Sequence, residues 1–537
     1  MSAESTKALK VQDCELFDSA NAFVTEAEES TKSDRTTRSI TIKYINKEYC
    51  ALLKLTFDLE RNITREDNRL SADHIETLRE TEMQVKRFHH TFNSQDAHFD
   101  DSIILAHIYL TLANIYYAGT TDITNGKERI YIAKEYLRQC VKLLKGKELD
   151  RRAVLTTLQA LCVSRNVYIE LQEIEEWKQV TRKTLEYYWM YTEKKDNYPH
   201  PVYILAVAGI VINRNYEYDL DILYARTLQF LMLYEYYCDE YLPIDNCTMI
   251  MCTHKILNKI LKAVPLLMKY PEWVTITSQL ALLFIKNRRF TEARHHLAAA
   301  SFVAKKFYEE ELMKMDKNKL PTQKAELRNT YNKAVADIAI KWATYGNKLL
   351  CLSGERFLHE EGNEVATGNL AMESTKLIFT DLENELQDIT ALIRDTYITD
   401  CKDAKPIFRR VLRWLEEARE FAANTKTANM YVDITRGIFL AYKYLARYEQ
   451  KKDNQVKLYK QRIDTLYDIS KTVNTDDANV RKHVWLQLML ASYSLLDIKT
   501  EDLESLDKIN EELTAEINKL VKYNIHSSEL YLGIYIK

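Results

Sequence analysis

The segment from Tyr270 to Val303 limits the possible folds of this chain more strongly than any other. Small and large apolar residues recur in it at helical spacing, on both sides of a polar break at Asn287–Arg289. Small residues let two helices approach closely, and large residues fill the gaps beside them. The pattern therefore predicts a helical hairpin that stacks on similar hairpins. The predicted packing residues are Leu280, Ala281, Phe284, Ala293, Leu297 and Ala300.

These spacings are typical of a tetratricopeptide repeat (TPR), and the same pattern recurs earlier in the chain. A second unit begins at Leu112 and ends near Cys140, with a longer connection between its two predicted helices. Helical pairs within residues 154–191 and 202–237 keep the length of the repeat with a weaker consensus. The sequence therefore predicts an all-α fold, a TPR-like right-handed α-solenoid with an N-terminal repeat array and a C-terminal bundle of longer helices.

The residue composition favours the same fold class. The chain includes only 10 Gly and 7 Pro among 537 residues, whereas average proteins contain about 7% and about 5%. Sheets and long loops need these residues in their turns, so their scarcity indicates helices with short connections. The net charge of -3 gives no support to a nucleic-acid partner.

Cysteines and apolar runs indicate the cellular compartment. The nine cysteines are dispersed and form no Cys-x-x-Cys pair, which is typical of reduced thiols in the cytosol. The longest apolar run, from Tyr203 to Ile212, is about half as long as a membrane span. We therefore expect a cytoplasmic protein without membrane insertion.

Changes in residue pattern predict four parts of the chain. Residues 1–38 are polar and lack periodicity, so they are predicted to form a disordered N-terminal tail. Residues 39–315 are predicted to form the N-terminal TPR-like array, residues 316–324 a linker, and residues 325–537 a C-terminal helical subdomain. One of the long helices expected in this subdomain runs from Leu370 to Tyr397.

The sequence contains no catalytic signature, and we expect no enzyme activity, cofactor, metal ion or small-molecule substrate. It has no phosphate-binding glycine loop, no Gly-x-Ser-x-Gly and no His-Glu-x-x-His motif. His295 and His296 are adjacent, and a helix directs adjacent side chains about 100° apart, which suits packing better than joint binding of a metal. The acidic runs Glu170–Glu176 and Asp381–Asp388 are predicted to be exposed helix faces, with a surface for a cationic partner as the alternative.

An aromatic cluster at residues 187–191 has a role that the sequence leaves open. Tyr187, Tyr188, Trp189 and Tyr191 lie within five residues, so they cannot all face one side of a helix. These side chains either pack against neighbouring hairpins or are exposed as anchors for a protein partner.

Several segments resemble the KIF-binding protein family, whose members are cytosolic α-solenoids that bind kinesin motor domains. In the most specific segment, Trp273 follows an acidic residue and an F-x-EARH-x-L-x-AA run spans Phe290 to Ala300. The segments Tyr331–Tyr345, Met430–Gln450 and Lys457–Leu466 are similar to the family's later helices. The chain looks like a divergent, invertebrate-like member.

This resemblance implies a protein that binds kinesin motor domains and blocks their attachment to microtubules. It would associate with the cytoskeleton and affect organelle and axonal transport, axon outgrowth, neurogenesis, differentiation and mitosis. The implied partner-binding residues, each of which could instead pack between hairpins, are Tyr188, Tyr191, Thr253, His254 and Asn258. The alternative function is a generic TPR scaffold or a co-chaperone-like adaptor that binds a helix or peptide in a concave groove.

Overall fold

The computed structural model describes residues 46–65, 70–92, 98–119, 126–193, 201–210, 219–237, 242, 244–262, 270–309, 321–359, 376–425, 428–472, 478–505 and 510–536. Within these ranges all regular secondary structure is helical, which confirms the predicted all-α class. The TPR-like, right-handed arrangement of the helices stays a prediction. The predicted tail, residues 1–38, lies outside the described residues. No helix in the described ranges has an apolar stretch long enough to cross a bilayer.

The chain divides into two compact units, with the boundary between Met268 and Lys269. The described helices of the first unit are α1 (Lys47–Arg65), α2 (Ala72–Phe92), α3 (Phe99–Ala118), α4 (Gly126–Leu144), α5 (Val154–Glu170), α6 (Ile174–Glu193), α7 (Ile204–Val207), α8 (Asp219–Tyr237) and α9 (Asn246–Lys262). Helix α3 packs against α1, α4 and α5, and every residue from Ser102 to Ala113 is therefore buried. Helix α5 packs in turn against α6 and α8, and α8 packs against α9.

The second unit begins with the hairpin that the sequence pattern singled out. Its described helices are α10 (Tyr270–Lys286), α11 (Phe290–Phe307), α12 (Pro321–His359), α13 (Gln387–Thr390), α14 (Cys401–Thr425), α15 (Ala428–Tyr448), α16 (Lys452–Thr472), α17 (Ala478–Glu504) and α18 (Glu511–Ile536). Both α10 and α11 pack against α12, and α12 packs against α14 and α15. The remaining helices follow as a series in which α15 contacts α16 and α17, and α17 contacts α18.

The boundary between the compact units precedes the hairpin, whereas the sequence placed the division at residues 316–324. The hairpin packs with the longer helices because large aromatic side chains connect them. The indole Nε1 of Trp342 on α12 donates to Ser301 Oγ on α11 at 3.1 Å. The rings of Phe290 and Tyr345 meet edge to face, with centroids 5.4 Å apart. Residues 310–320 lie outside the described residues, and α12 already begins at Pro321, so the linker itself stays a prediction.

The predicted helix from Leu370 to Tyr397 is wrong over the part that the structure describes. Residues 376–379 have no regular secondary structure, Thr380–Leu382 form one 3₁₀ turn, and α13 is a single turn of α-helix. The backbone of this segment combines short-range bonds, such as that from the Leu386 N–H to the Leu382 carbonyl at 3.1 Å, with bonds to other elements. For example, the Phe379 N–H donates to His295 Nε2 on α11 at 2.9 Å. Apolar periodicity alone does not reveal such a bond, since its partners are 84 residues apart.

Glycine permits the closest approach between helices of the second unit. Gly346 lies buried in α12, where an added Cβ would overlap Val411 Cγ2 on α14. At Gly437 of α15, an added Cβ would lie 2.8 Å from Leu415 Cδ2 on α14. Real Cβ atoms essentially never come this close to another atom. Both positions therefore require glycine, which has no Cβ.

Candidate functional site

The two predicted tyrosine contacts on α6 are buried in the first unit. Only 2% of Tyr188 and 3% of Tyr191 is exposed. The Tyr188 hydroxyl donates to Asp221 Oδ1 on α8 at 2.8 Å. The Tyr188 ring stacks on Tyr224, with centroids 3.8 Å apart and planes 3° apart. In this structure Tyr188 therefore connects α6 to α8.

The three predicted contacts on α9 also face the interior to different degrees. Thr253 is fully buried and its hydroxyl donates to the Met249 carbonyl of its own helix at 2.7 Å. His254 is 6% exposed, whereas Asn258 is half-buried. Four of the five predicted contact residues are thus packing residues in this structure, which was the alternative that the sequence left open. A direct role in partner binding stays a prediction.

Asp221 is the centre of a polar cluster that the sequence did not reveal. Its carboxylate is buried and accepts the Tyr188 hydroxyl on one side. On the other side, Lys259 Nζ of α9 lies 2.9 Å from Asp221 Oδ2, while about half of the lysine side chain remains exposed. The Trp189 Nε1 donates to the Tyr224 hydroxyl at 2.9 Å. Three helices are therefore joined at one buried carboxylate.

Burial keeps both tyrosines of this cluster neutral, and the carboxylate of Asp221 adds to this effect at Tyr188. Desolvation raises the pKa of Tyr188 well above its usual value, and the charge of Asp221 raises this pKa further. Desolvation likewise raises the pKa of Tyr224 well above its usual value. Neutral hydroxyls can donate to a carboxylate, so the cluster is built to hold helices together. In the sequence, Asp221 resembles any acidic residue in a first helical turn, and no spacing signal distinguishes it.

The six residues predicted to pack the hairpin lie within α10 and α11 of the second unit. All six have no exposed surface, and they are Leu280, Ala281, Phe284, Ala293, Leu297 and Ala300. Trp273 of the same hairpin is also fully buried. Its ring packs against Phe379, with centroids 5.4 Å apart. The hairpin core therefore extends to the irregular segment that follows α12.

His295 and His296 have separate partners in the structure. His295 Nε2 accepts the Phe379 N–H, while His296 Nδ1 lies 2.8 Å from the Glu292 carbonyl of its own helix. Burial lowers the pKa of His295, which favours the neutral form that can accept this bond. Among the described residues, no three His, Cys, Asp or Glu side chains are grouped so that they could hold a metal ion.

The acidic run Glu170–Glu176 crosses the turn between α5 and α6 in the first unit. Glu170, Glu175 and Glu176 are exposed. Glu173 is engaged within the fold, since Lys134 Nζ lies 2.6 Å from its Oε1. Three of the four carboxylates of this run are therefore presented to solvent.

The second acidic run lies in the irregular segment of the second unit. Its four carboxylates are exposed, and they belong to Asp381, Glu383, Glu385 and Asp388. Leu386 lies between them and is buried, with 1% of its surface exposed. Because one apolar side chain points inward among outward carboxylates, this run forms an acidic edge on the folded unit. We name residues 381–388 the acidic edge.

The C-terminal half of the chain matches a family model. Residues 271–537 match the model described as "KIF-1 binding protein C terminal". This range includes the hairpin, the acidic edge and all the longer helices.

Curated relatives named KIF-binding protein come from several animals. The relative from Drosophila melanogaster is 26% identical over 267 residues, which cover 48% of this chain and 44% of the relative. The Gallus gallus relative is 22% identical over 423 residues, which cover 75% and 69%. The Xenopus tropicalis relative is 22% identical over 278 residues, which cover 49% and 45%. In the fly and frog comparisons the chain thus spans less than half of the relative's length.

These relatives are named for binding and not for an enzymatic activity. The family model and the relatives agree on one family, so the family resemblance is confirmed. The chain belongs to the KIF-binding protein family.

Proposed function

We propose that this chain is a non-catalytic protein that binds kinesin motor domains and blocks their attachment to microtubules. The observation that carries the proposal is its membership of a family whose relatives are named for KIF binding. The proposal includes a cytoplasmic, cytoskeleton-associated location. Effects on organelle and axonal transport, axon outgrowth and mitosis would follow from the loss of motor attachment.

The acidic edge supports this proposal on electrostatic grounds. Microtubules are acidic, so the motor surface that faces them is expected to be basic. A competitor for that surface needs carboxylates at matching positions. The acidic edge supplies four exposed carboxylates within eight residues. In the described part of the chain, no ion pair within 4 Å engages Glu383, Glu385 or Asp388.

The five predicted contact residues enter the proposal in an indirect role. We propose that Tyr188, Tyr191, Thr253, His254 and Asn258 hold α6, α8 and α9 in the arrangement that a partner meets. Their burial supports this role, because a side chain with almost no exposed surface contributes to binding through its neighbours.

Microtubule co-sedimentation of a purified kinesin motor domain tests the proposed function. With the nucleotide state that favours attachment, the motor pellets with microtubules, and the wild-type chain is expected to keep it in the supernatant. Motor domains that pellet fully at saturating concentrations of the chain would contradict the proposal. A generic TPR scaffold would give that result while still binding an unrelated helix or peptide.

Charge-neutral variants test the role of the acidic edge. The test variant combines four substitutions, Asp381→Asn, Glu383→Gln, Glu385→Gln and Asp388→Asn. The matched control removes the same number of exposed acids from other parts of the second unit, through Glu420→Gln, Asp497→Asn, Glu504→Gln and Glu529→Gln. Exposed charge pairs are worth about 0.2–1 kcal/mol each, so we expect roughly tenfold weaker motor binding for the test variant alone. Equal affinities for both variants would exclude the acidic edge as a contact surface.

A further inference from the structure

The segment that carries the acidic edge is irregular, yet it is fixed to α11 at both ends. The first anchor is Phe379, two residues before the acidic edge. Its side chain is fully buried and its ring centroid lies 5.4 Å from that of Trp273 and 4.8 Å from that of His296. Its N–H donates to His295 Nε2 at 2.9 Å. The buried Phe379 ring and one backbone hydrogen bond thus fix the start of the segment.

The second anchor is Arg294, the residue that precedes His295 on α11. Its Nη2 lies 2.8 Å from Asp395 Oδ2, and both side chains are mostly shielded from solvent. Its Nη1 donates to the Ile393 carbonyl at 3.2 Å and reaches the Thr390 carbonyl at 3.5 Å. One guanidinium therefore binds the chain just after the acidic edge through a charge pair and backbone oxygens.

Helix α12 holds the remainder of the segment. The Tyr345 hydroxyl donates to the Arg394 carbonyl at 2.9 Å, and the Ile398 N–H donates to Ser353 Oγ at 3.0 Å. These bonds lie after the acidic edge in the sequence. The contacts of α11 described above therefore hold the chain on both sides of the four carboxylates.

We propose that Arg294 and His295 are positioning residues for partner binding. They fix the backbone on both sides of the acidic edge, so that its carboxylates are presented in one arrangement before a partner arrives. A short irregular segment loses conformational entropy when it is ordered, and ordering it in advance strengthens binding. This inference rests on the proposed function, because it assumes that the acidic edge contacts the motor.

The geometry of α11 explains how adjacent residues reach both anchors. Consecutive side chains of a helix point about 100° apart, so Arg294 and His295 reach different parts of the same segment. The pair comes from the EARH run that carried the family resemblance. Neither residue would touch the motor, and both would act through the acidic edge.

Substitutions at Arg294 in the full chain test the proposal with two measurements. The first is hydrogen exchange of the amides from 379 to 398, and the second is affinity for a kinesin motor domain. Arg294→Ala is expected to speed exchange in this segment about tenfold or more, since a charge-assisted anchor is lost. It should weaken motor binding about as much as neutralising the acidic edge. Arg294→Lys keeps a cation near Asp395 and should restore part of both values.

Two controls separate positioning from general destabilisation. Arg289→Ala removes another partly buried arginine of the same hairpin, which pairs with Glu292, and should leave exchange at 379–398 unchanged. In a double-variant comparison, Arg294→Ala should cause no further loss of motor binding once the acidic edge is neutral. A purely structural role would instead give additive losses.

The outcomes distinguish failure of this inference from failure of the proposed function. Unchanged hydrogen exchange at residues 379–398 in Arg294→Ala would overturn the anchoring role, whatever the effect of this substitution on motor affinity. Faster exchange with unchanged motor binding would overturn the positioning role, provided that the neutralised acidic edge weakens binding. If the neutralised acidic edge binds the motor like the wild type, both the contact surface and the positioning role fail.

Discussion

Replacement of Gly346 by alanine tests how tightly α12 and α14 are packed. The added Cβ would overlap Val411 Cγ2 and would lie 3.5 Å from Ile407 Cγ2 and 3.6 Å from Ile393 Cδ1. Val411 has no exposed surface, and a β-branched side chain in a helix has one strongly preferred rotamer. Val411 therefore cannot turn away easily, and the helices must separate to admit the methyl group.

The expected free-energy change follows from two opposing effects. Alanine is favoured over glycine in a helix by about 1 kcal/mol. Forcing an extra carbon into a packed core costs about 1–3 kcal/mol. We therefore expect Gly346→Ala to lower the free energy of unfolding by up to about 2 kcal/mol.

Gly354 on the same helix provides a matched control. An added Cβ there would meet the Tyr448 ring and hydroxyl at 3.5 to 3.6 Å, which is ordinary contact. Gly354→Ala should therefore stabilise the protein by about 0.5–1 kcal/mol. Because helix propensity contributes equally to both substitutions, their difference of about 1–3 kcal/mol measures the overlap with Val411.

Urea unfolding of the full chain, together with hydrogen exchange of α12 and α14, measures these changes. Exchange is needed because a chain of two compact units need not unfold in one step. In a Val411→Ala background, the overlapping methyl group is gone, and Gly346→Ala should become neutral or stabilising. The packing argument is refuted if Gly346→Ala is as stable as Gly354→Ala, or if Val411→Ala does not reduce its cost.

Three further predictions concern polar groups that are partly or fully shielded from solvent. Arg462 has no exposed surface, and its guanidinium lies over the rings of Phe439 and Tyr459. These rings offset the free-energy cost of burying its charge less than a carboxylate would. Arg462→Met should therefore change the melting temperature little or raise it, and a drop beyond about 5 °C would contradict this reasoning. Burial raises the pKa of Glu60 to about 7, so the folded state holds a proton that the unfolded state releases, and stability should fall as pH rises from about 4.5 to about 7. Glu60→Gln should remove that slope and gain about 3 kcal/mol at pH 8, which denaturant titrations at pH 4.5 and pH 8 would show. Tyr188→Phe removes one bond to Asp221 and should cost about 1–2 kcal/mol. Because the phenylalanine ring can still stack on Tyr224 and keep α6 and α8 in place, motor affinity should stay unchanged. Weaker motor binding by a Tyr188→Phe variant of unchanged stability would show instead that the hydroxyl contacts the partner.

Helical periodicity made the fold class and the hairpin predictable from the sequence. Leu280 and Phe284 on α10, like Ala293 and Leu297 on α11, lie four residues apart, and all four are fully buried where the two helices meet. Such patterns depend on neighbours three or four residues away, so they can be read along the chain. The scarcity of Gly and Pro excluded sheets for the same local reason.

The candidate sites were less predictable, because they depend on pairs that are distant in the sequence. Tyr188 had an aromatic neighbourhood that suited either packing or binding, and Asp221, 33 residues later, placed its hydroxyl in the interior. The acidic edge was predicted as an exposed face of a helix from Leu370 to Tyr397, since the apolar residues there follow a helical period. No local signal distinguishes that pattern from an irregular segment that is held by another element.

The sequence by itself determined that this chain is all-α, contains a buried hairpin at residues 270–303 and resembles the KIF-binding proteins. Only the tertiary structure decided which aromatic side chains are buried, where the compact units divide and how the acidic edge is held. The physical reason is the range of the interactions. Helices form from hydrogen bonds between residues four apart, whereas Arg294 and Asp395 are 101 residues apart and meet only in the folded chain.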